Sequence, residues 1–327
     1  SKYGRKNTVL ASMAVTVVGM FLPLLVYSSV TCIIAYVLLG VGNAILQISL
    51  NPLLNNVISS PRLLTSSLTA GQVIKAVSSL VGPEIVLFAT LHFGDDKWYY
   101  CFPILGTITL FFALWLTFTP IWREQVEESK VSFSDSFNLL KNRTILILFW
   151  GIFFIVGVDV ATNYVSSKLM SIRYDWTAEQ VKFAPQVYFF SRTVGALLGA
   201  FLLTRIAGVR YFKVNILACI LMLVLLIGIQ NPAVSLLCIG GVGFFASSVF
   251  SIIYSMAFQE CPTKMNQISG LMLTAVAGGG VVTPVIGFAI DNAGITAGVI
   301  VILLCVLYLT YCAFAVRERK SGEQTAL

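Results

Sequence analysis

Ten stretches of nineteen or more residues, each nearly free of charge, follow one another along this 327-residue chain: 8–27, 30–57, 65–91, 98–119, 144–168, 179–204, 211–229, 233–259, 267–290 and 296–316. About 20 apolar residues of helix cross a hydrocarbon core about 30 Å thick. Lipid offers no partner to an open backbone N–H or C=O, so each stretch must satisfy its own backbone as a helix. The expectation is an all-α polytopic membrane protein with ten transmembrane helices. With 57% hydrophobic residues, only 11% charged ones and a mean hydropathy of +0.89, the chain is too apolar for disorder. It is also too poor in charge to coat an ordinary soluble enzyme.

The formal charge of +7 does not point to nucleic acid, because no basic run is longer than Arg317-Glu318-Arg319-Lys320. The basic residues instead mark topology. With the first residue placed in the cytoplasm, fifteen of the 21 Lys and Arg fall in inside segments and four (Lys97, Lys168, Arg173, Lys182) outside. Lys75 and Arg192 remain within spans. The positive-inside rule therefore predicts a multi-pass protein of the cytoplasmic membrane with both ends of the chain cytoplasmic. Seven cysteines without a C-x-x-C pair sit mostly in apolar runs and read as small hydrophobes, so no metal and no cofactor are expected. The single His92 is read as a surface residue of an external loop.

The longest polar interval, 120–143, separates four spans from six. Within it Phe133, Phe137 and Leu140 have the spacing of a short amphipathic helix on the membrane surface. The expected division is a helix bundle at 1–119, a cytoplasmic linker at 120–143 and a six-helix bundle at 144–327. Transporters are often built from equal six-helix repeats, so four plus six suggests an arrangement of twelve from which the first two are absent. The chain opens on the polar Ser1 to Asn7, without Met, as if inside a loop.

The residues Tyr3-Gly4-Arg5-Lys6 resemble the end of the loop motif G-x-x-x-D-R-x-G-R-K of the major facilitator superfamily, with Lys2 for Arg and Ser1 where the Asp usually lies. Arg205-Ile206-Ala207-Gly208-Val209-Arg210 resembles a degenerate second copy at the place a pseudo-repeat puts it. Four further segments are similar to the fucose, galactose and glucose:proton symporter branch. Gln47 to Pro52 resembles its E-x-x-x-N-P segment and Gly157-Val158-Asp159-Val160 its G-A-E-V. Phe244 to Phe250 resembles its F-N-S-I-M-F run, and Ala277 to Pro284 its V-G-G-A-x-x-P run, continued by Gly287 and Asp291. The resemblance implies the major facilitator fold and secondary transport of a sugar, with protons as a candidate co-substrate. One departure bears on coupling: the family's Glu is Gln47 here, and Gln cannot titrate. For Gly4, Arg5, Arg205 and Arg210 the resemblance implies a role in a cytoplasmic gate, against simple positive-inside charge.

Polar groups inside spans carry the rest of the reading, since an ionisable side chain at mid-bilayer costs about 2.5–3.5 kcal/mol on insertion scales. Asp159 lies near the middle of its span and Asn163 one turn further on the same face; together they suit sugar hydroxyls or a proton. Arg192 pairs with Asp159 or takes part in binding or gating. Asn43, Gln47, Asn51 and Asn55 recur every four residues on one helix face, and Gln47 and Asn51 are candidate substrate ligands. Interhelical hydrogen bonding is the alternative. Gln72, Lys75 and Ser79 form another line, with Gln72 as a ligand and Lys75 in coupling, against snorkelling of Lys75 to the interface. Tyr188 and Tyr254 are candidates to cover a hexose face, with core packing the alternative.

The function expected is a transporter, not an enzyme, because no P-loop, metal spacing or catalytic cluster is present. It is a monomer moving a hexose or deoxyhexose by alternating access. Export or uptake of another small molecule (a drug, organic acid or amino acid) is the alternative, and a sugar receptor belongs to a different class again.

Overall fold

The computed structural model describes residues 5–58, 60–119 and 133–316. Its helices are α1 (Arg5–Leu25), α2 (Ser29–Val57), α3 (Pro61–Phe93), α4 (Cys101–Phe118), α5 (Phe133–Asn138), α6 (Arg143–Tyr174) and α7 (Ala178–Val181). They continue as α8 (Phe183–Leu202), α9 (Gly208–Gly228), α10 (Pro232–Ala246), α11 (Val249–Glu260), α12 (Met265–Ala275), α13 (Gly278–Ala293) and α14 (Ile295–Ala315). Among the described residues nine spans are long and apolar enough to cross a bilayer, the pairs α10–α11 and α12–α13 each counting as one. The remaining expected crossing is α8. It has 20 residues but is less apolar, because Gln186, Ser191, Arg192 and Thr193 lie along it.

Large side chains on these helices are turned outward: Phe118 is 84% exposed, and Leu91, Phe288 and Leu237 are exposed to a similar degree. In water so much exposed apolar surface would drive association; in lipid it is the solvated face.

The chain packs as two compact units, Ser1–Val57 with Val81–Ser132, and Ile58–Leu80 with Phe133–Leu327. In the first, α1 packs against α2 and α4, and small residues allow the approach: Ser12 and Ala35 are both almost fully buried. In the second, α6 is the central helix, packed against α8, α10, α11, α12, α13 and α14. Its start is fixed by Asn142, whose Oδ1 accepts from the N–H groups of Thr144 (2.8 Å) and Ile145 (3.4 Å). Asn231 caps α10 in the same way, followed by Pro232 at the first helical position.

Backbones come close at two glycines of this unit. A Cβ on Gly278 would collide with the carbonyl oxygen of Phe153, and one on Gly195 with that of Phe244. Only glycine lets α13 lie on α6, and α8 on α10, at that separation. Gly280, by contrast, has open space around it.

Two spans expected as single helices are interrupted. The eighth crossing pauses at Ser247 and Ser248 between α10 and α11, and the ninth at Val276 and Ala277 between α12 and α13. Hydropathy does not register a break that swaps one apolar helical turn for a tighter one.

The surface helix expected around Phe133, Phe137 and Leu140 is a correction in part. A helix is there, but it lasts six residues and tightens into a 3-10 turn over Leu139–Lys141. Leu139, which opens that turn, is buried, and Phe137 is exposed.

Candidate functional site

At the middle of α6, sixteen residues after Arg143, Asp159 meets two side chains of α8. The Arg192 guanidinium lies 2.9 Å from Asp159 Oδ2, and the Tyr188 hydroxyl donates to Oδ1 at 2.6 Å. Tyr188 and Arg192 are one turn apart and share a helix face. Local sequence makes the meeting possible: Gly195 lets α8 seat deeply beside α10, and α8 also packs on α6.

Tyr188 is fully buried. The side chains of Arg192 and Asp159 are 10% and 24% exposed. Both carboxylate oxygens are therefore engaged while the group keeps an open side. A charge-assisted pair of this length is worth about twice a neutral hydrogen bond, and in a poorly solvated setting each charge depends on the other.

Asn163 continues the α6 face one turn beyond Asp159. Its Oδ1 is buried without a hydrogen-bond partner among the described residues. A buried acceptor left open costs about 1–3 kcal/mol, so a donor brought by a solute would be favoured there.

The other residues singled out by sequence fall as follows. Gln72 is half-buried and Lys75 exposed on the part of α3 that belongs to the second unit. Tyr254 is 1% exposed, and its hydroxyl meets Ser269 Oγ at 2.8 Å, so it ties α11 to α12 in the core. In the first unit the Gln47 amide donates to Asn43 Oδ1 at 3.2 Å, an i, i+4 bond along α2. The side chains of Asn51, Asn55 and Arg5 lie outside the described residues, as does Gly4. Arg205 covers the Phe201 ring at 4.9 Å, and Arg210 is exposed. His92 is exposed as well.

A family model described as Major Facilitator Superfamily matches residues 1–284. The chain belongs to the major facilitator superfamily. A Helicobacter pylori protein provisionally named for glucose/galactose transport is 26% identical over 275 residues, 78% of this chain and 66% of its own length. The glucose/galactose transporter of Brucella abortus is 23% identical over 322 residues, 94% of this chain and 77% of its own. The chain thus spans about two thirds of the length of the Helicobacter relative. Among solved structures it is similar to the Escherichia coli fucose:proton symporter FucP, with a TM-score of 0.83 at 17% identity, over 96% of this chain and 84% of that one. At that identity the likeness is one of fold.

One residue of the superfamily loop motif has a contact that sequence reading passed over. Lys6, at the start of α1, donates to the carbonyl oxygens of Thr117 (2.9 Å) and Thr119 (2.7 Å) at the end of α4. The last turn of a helix has unpaired carbonyls and partial negative charge, and this ammonium satisfies two of them. The signal lies in the motif itself, whose last residue is Lys6.

Proposed function

We propose that this major facilitator protein is a secondary transporter of a small polar solute of the sugar class, a hexose or deoxyhexose, working by alternating access and coupled to protons at Asp159. The observation that carries the reading is the cluster of Asp159, Arg192 and Tyr188 at the middle of two apolar helices. An ion pair there is costly to build and adds nothing to packing that Leu and Met would not supply. It earns its place by chemistry.

The chemistry runs through Asp159 Oδ2. Arg192 and a proton are alternative partners for that oxygen. A solute that draws the guanidinium toward its own oxygens frees the carboxylate to take a proton, so that both charges are compensated while solute and proton travel together. Tyr188 holds Oδ1 in place throughout. Asn163 and Gln72 offer the acceptor and amide groups that a polyol needs. Gln47, which stands where the branch has Glu, takes no part in proton transfer.

The names of the Helicobacter and Brucella relatives support a sugar substrate, and the fold shared with FucP supports symport. The excess of basic residues in alternate loops supports a cytoplasmic-membrane protein with both ends inside. The functional division we propose remains 1–119, 120–143 and 144–327, with the protein acting as a monomer.

The test is counterflow in proteoliposomes loaded with unlabelled sugar. Labelled glucose, galactose or fucose is expected to overshoot transiently in vesicles with the protein and not in empty ones. Binding of sugar without any exchange would leave a receptor and remove the transport reading.

A further inference from the structure

Within the second unit, three ionisable side chains lie far from the ends of their helices: Asp159, Arg192 and Lys75. Asp159 and Arg192 neutralise one another, and the second carboxylate oxygen is taken by Tyr188. That leaves Lys75 as a cation without an ion-pair partner among the described residues. Its side chain is exposed, and among the described residues no acid lies within ion-pair distance of it.

Its depth follows from two hydrogen bonds that set the register of α3 in this unit. Thr65 Oγ1 donates to Ser255 Oγ at 2.6 Å, and Ser66 Oγ donates to the carbonyl of Ala200 on α8 at 2.5 Å. From Ser66 to Lys75, α3 rises about 13.5 Å; from Ala200 back to Arg192, α8 covers about 12 Å. As third and sixth crossings the two helices run in opposite directions. Both distances therefore lead the same way, and Lys75 stands at the depth of Arg192.

Snorkelling does not account for this lysine. It lies ten residues inside the cytoplasmic end of the apolar stretch 65–91, about 15 Å, which is beyond the reach of its side chain.

We infer that the solute bears a carboxylate, in the manner of a hexuronate, and that Lys75, level with Arg192, is the group that receives it. The inference rests on the transport reading and, within the sugar class, puts a sugar acid in place of the neutral hexose as the preferred solute. A carboxylate supplies that ion-pair partner. Arg192 keeps N–H groups beyond the one spent on Asp159, so a second contact to the anion is available. The open acceptor of Asn163, one turn from Asp159, then takes a ring hydroxyl. A neutral hexose would fill the hydroxyl contacts and leave the ammonium bare.

The experiment is competition against counterflow in proteoliposomes of the wild-type protein, with three probes of one size: galacturonate, its neutral methyl ester and galactose. Galacturonate is expected to compete at least about tenfold better than either neutral probe, the factor expected when a charge-assisted contact is added. In Lys75→Gln the ratio of galacturonate to galactose exchange is expected to fall by about tenfold or more, and in Lys75→Arg to stay within about threefold of wild type. The wild-type ester comparison needs no variant, so a Lys75→Gln that fails to fold does not shield the inference. Galactose exchange with galacturonate competing no better than its methyl ester overturns the inference and leaves sugar transport standing. So does an unchanged ratio in Lys75→Gln. Exchange of none of the three overturns both.

Discussion

Replacing Arg192 with Met would leave the Asp159 carboxylate at mid-membrane with one hydrogen bond, from Tyr188, and no cation. Removing one partner of a buried pair costs about 3–5 kcal/mol, because the survivor keeps its desolvation penalty. Asp159 is 24% exposed and retains the 2.6 Å bond from Tyr188, so the lower end applies, about 3 kcal/mol. Asp159→Asn strands the guanidinium of Arg192, whose side chain is only 10% exposed, at a similar cost. In the double variant neither charge remains, and the loss should be well below the sum. The assay is a double-mutant cycle on unfolding in mixed micelles, with four proteins and one coupling term. A coupling energy of about 1.5 kcal/mol or more is expected from a pair at 2.9 Å in this setting. Losses that add within about 0.5 kcal/mol would refute the claim that the two charges depend on each other. Transport separates stability from mechanism: the double variant should regain stability without regaining solute accumulation.

Other substitutions probe the neighbouring links. Tyr188→Phe removes the 2.6 Å bond to Asp159 and should destabilise by about 1–2 kcal/mol, while slowing solute-coupled proton uptake more than solute exchange, as read by parallel flux measurements. Lys6→Gln loses the ammonium that holds the carbonyls of Thr117 and Thr119. A loss of about 1 kcal/mol is expected on thermal unfolding, largely recovered by Lys6→Arg. Gly278→Val drives a side chain into the Phe153 carbonyl, and overpacking against backbone should cost about 3 kcal/mol or more. The folded yield after detergent extraction should fall accordingly, whereas Gly280→Ala, in open space, should extract like wild type.

Hydropathy located the spans closely because the bilayer imposes one length and one composition on every crossing. The expected 211–229 and 296–316 are the helices Gly208–Gly228 and Ile295–Ala315. It was silent where the fold depends on a particular neighbour. The interruptions at Ser247 and at Val276 change the backbone without changing apolarity. Leu139, which opens the 3-10 turn after α5, is buried, and helical spacing does not foretell it. The rarity of charge within spans drew attention to Asp159 and Arg192, and rarity is a composition signal. That Tyr188 completes the pair, while Tyr254 bonds Ser269 in the core, depends on which helix lies opposite, and two tyrosines in apolar helices look alike in sequence. Lys6 shows the same limit: a positive-inside charge and a helix cap are one letter until the end of α4 is placed beside it.

Proton movement at Asp159 is the step on which coupled transport depends most directly. Vesicles of the wild-type protein, at zero membrane potential in weakly buffered medium, should alkalinise that medium when solute is added. Asp159→Asn should give no alkalinisation and no accumulation driven by a pH gradient. Accumulation by Asp159→Asn with the pH dependence of the wild type would contradict the account.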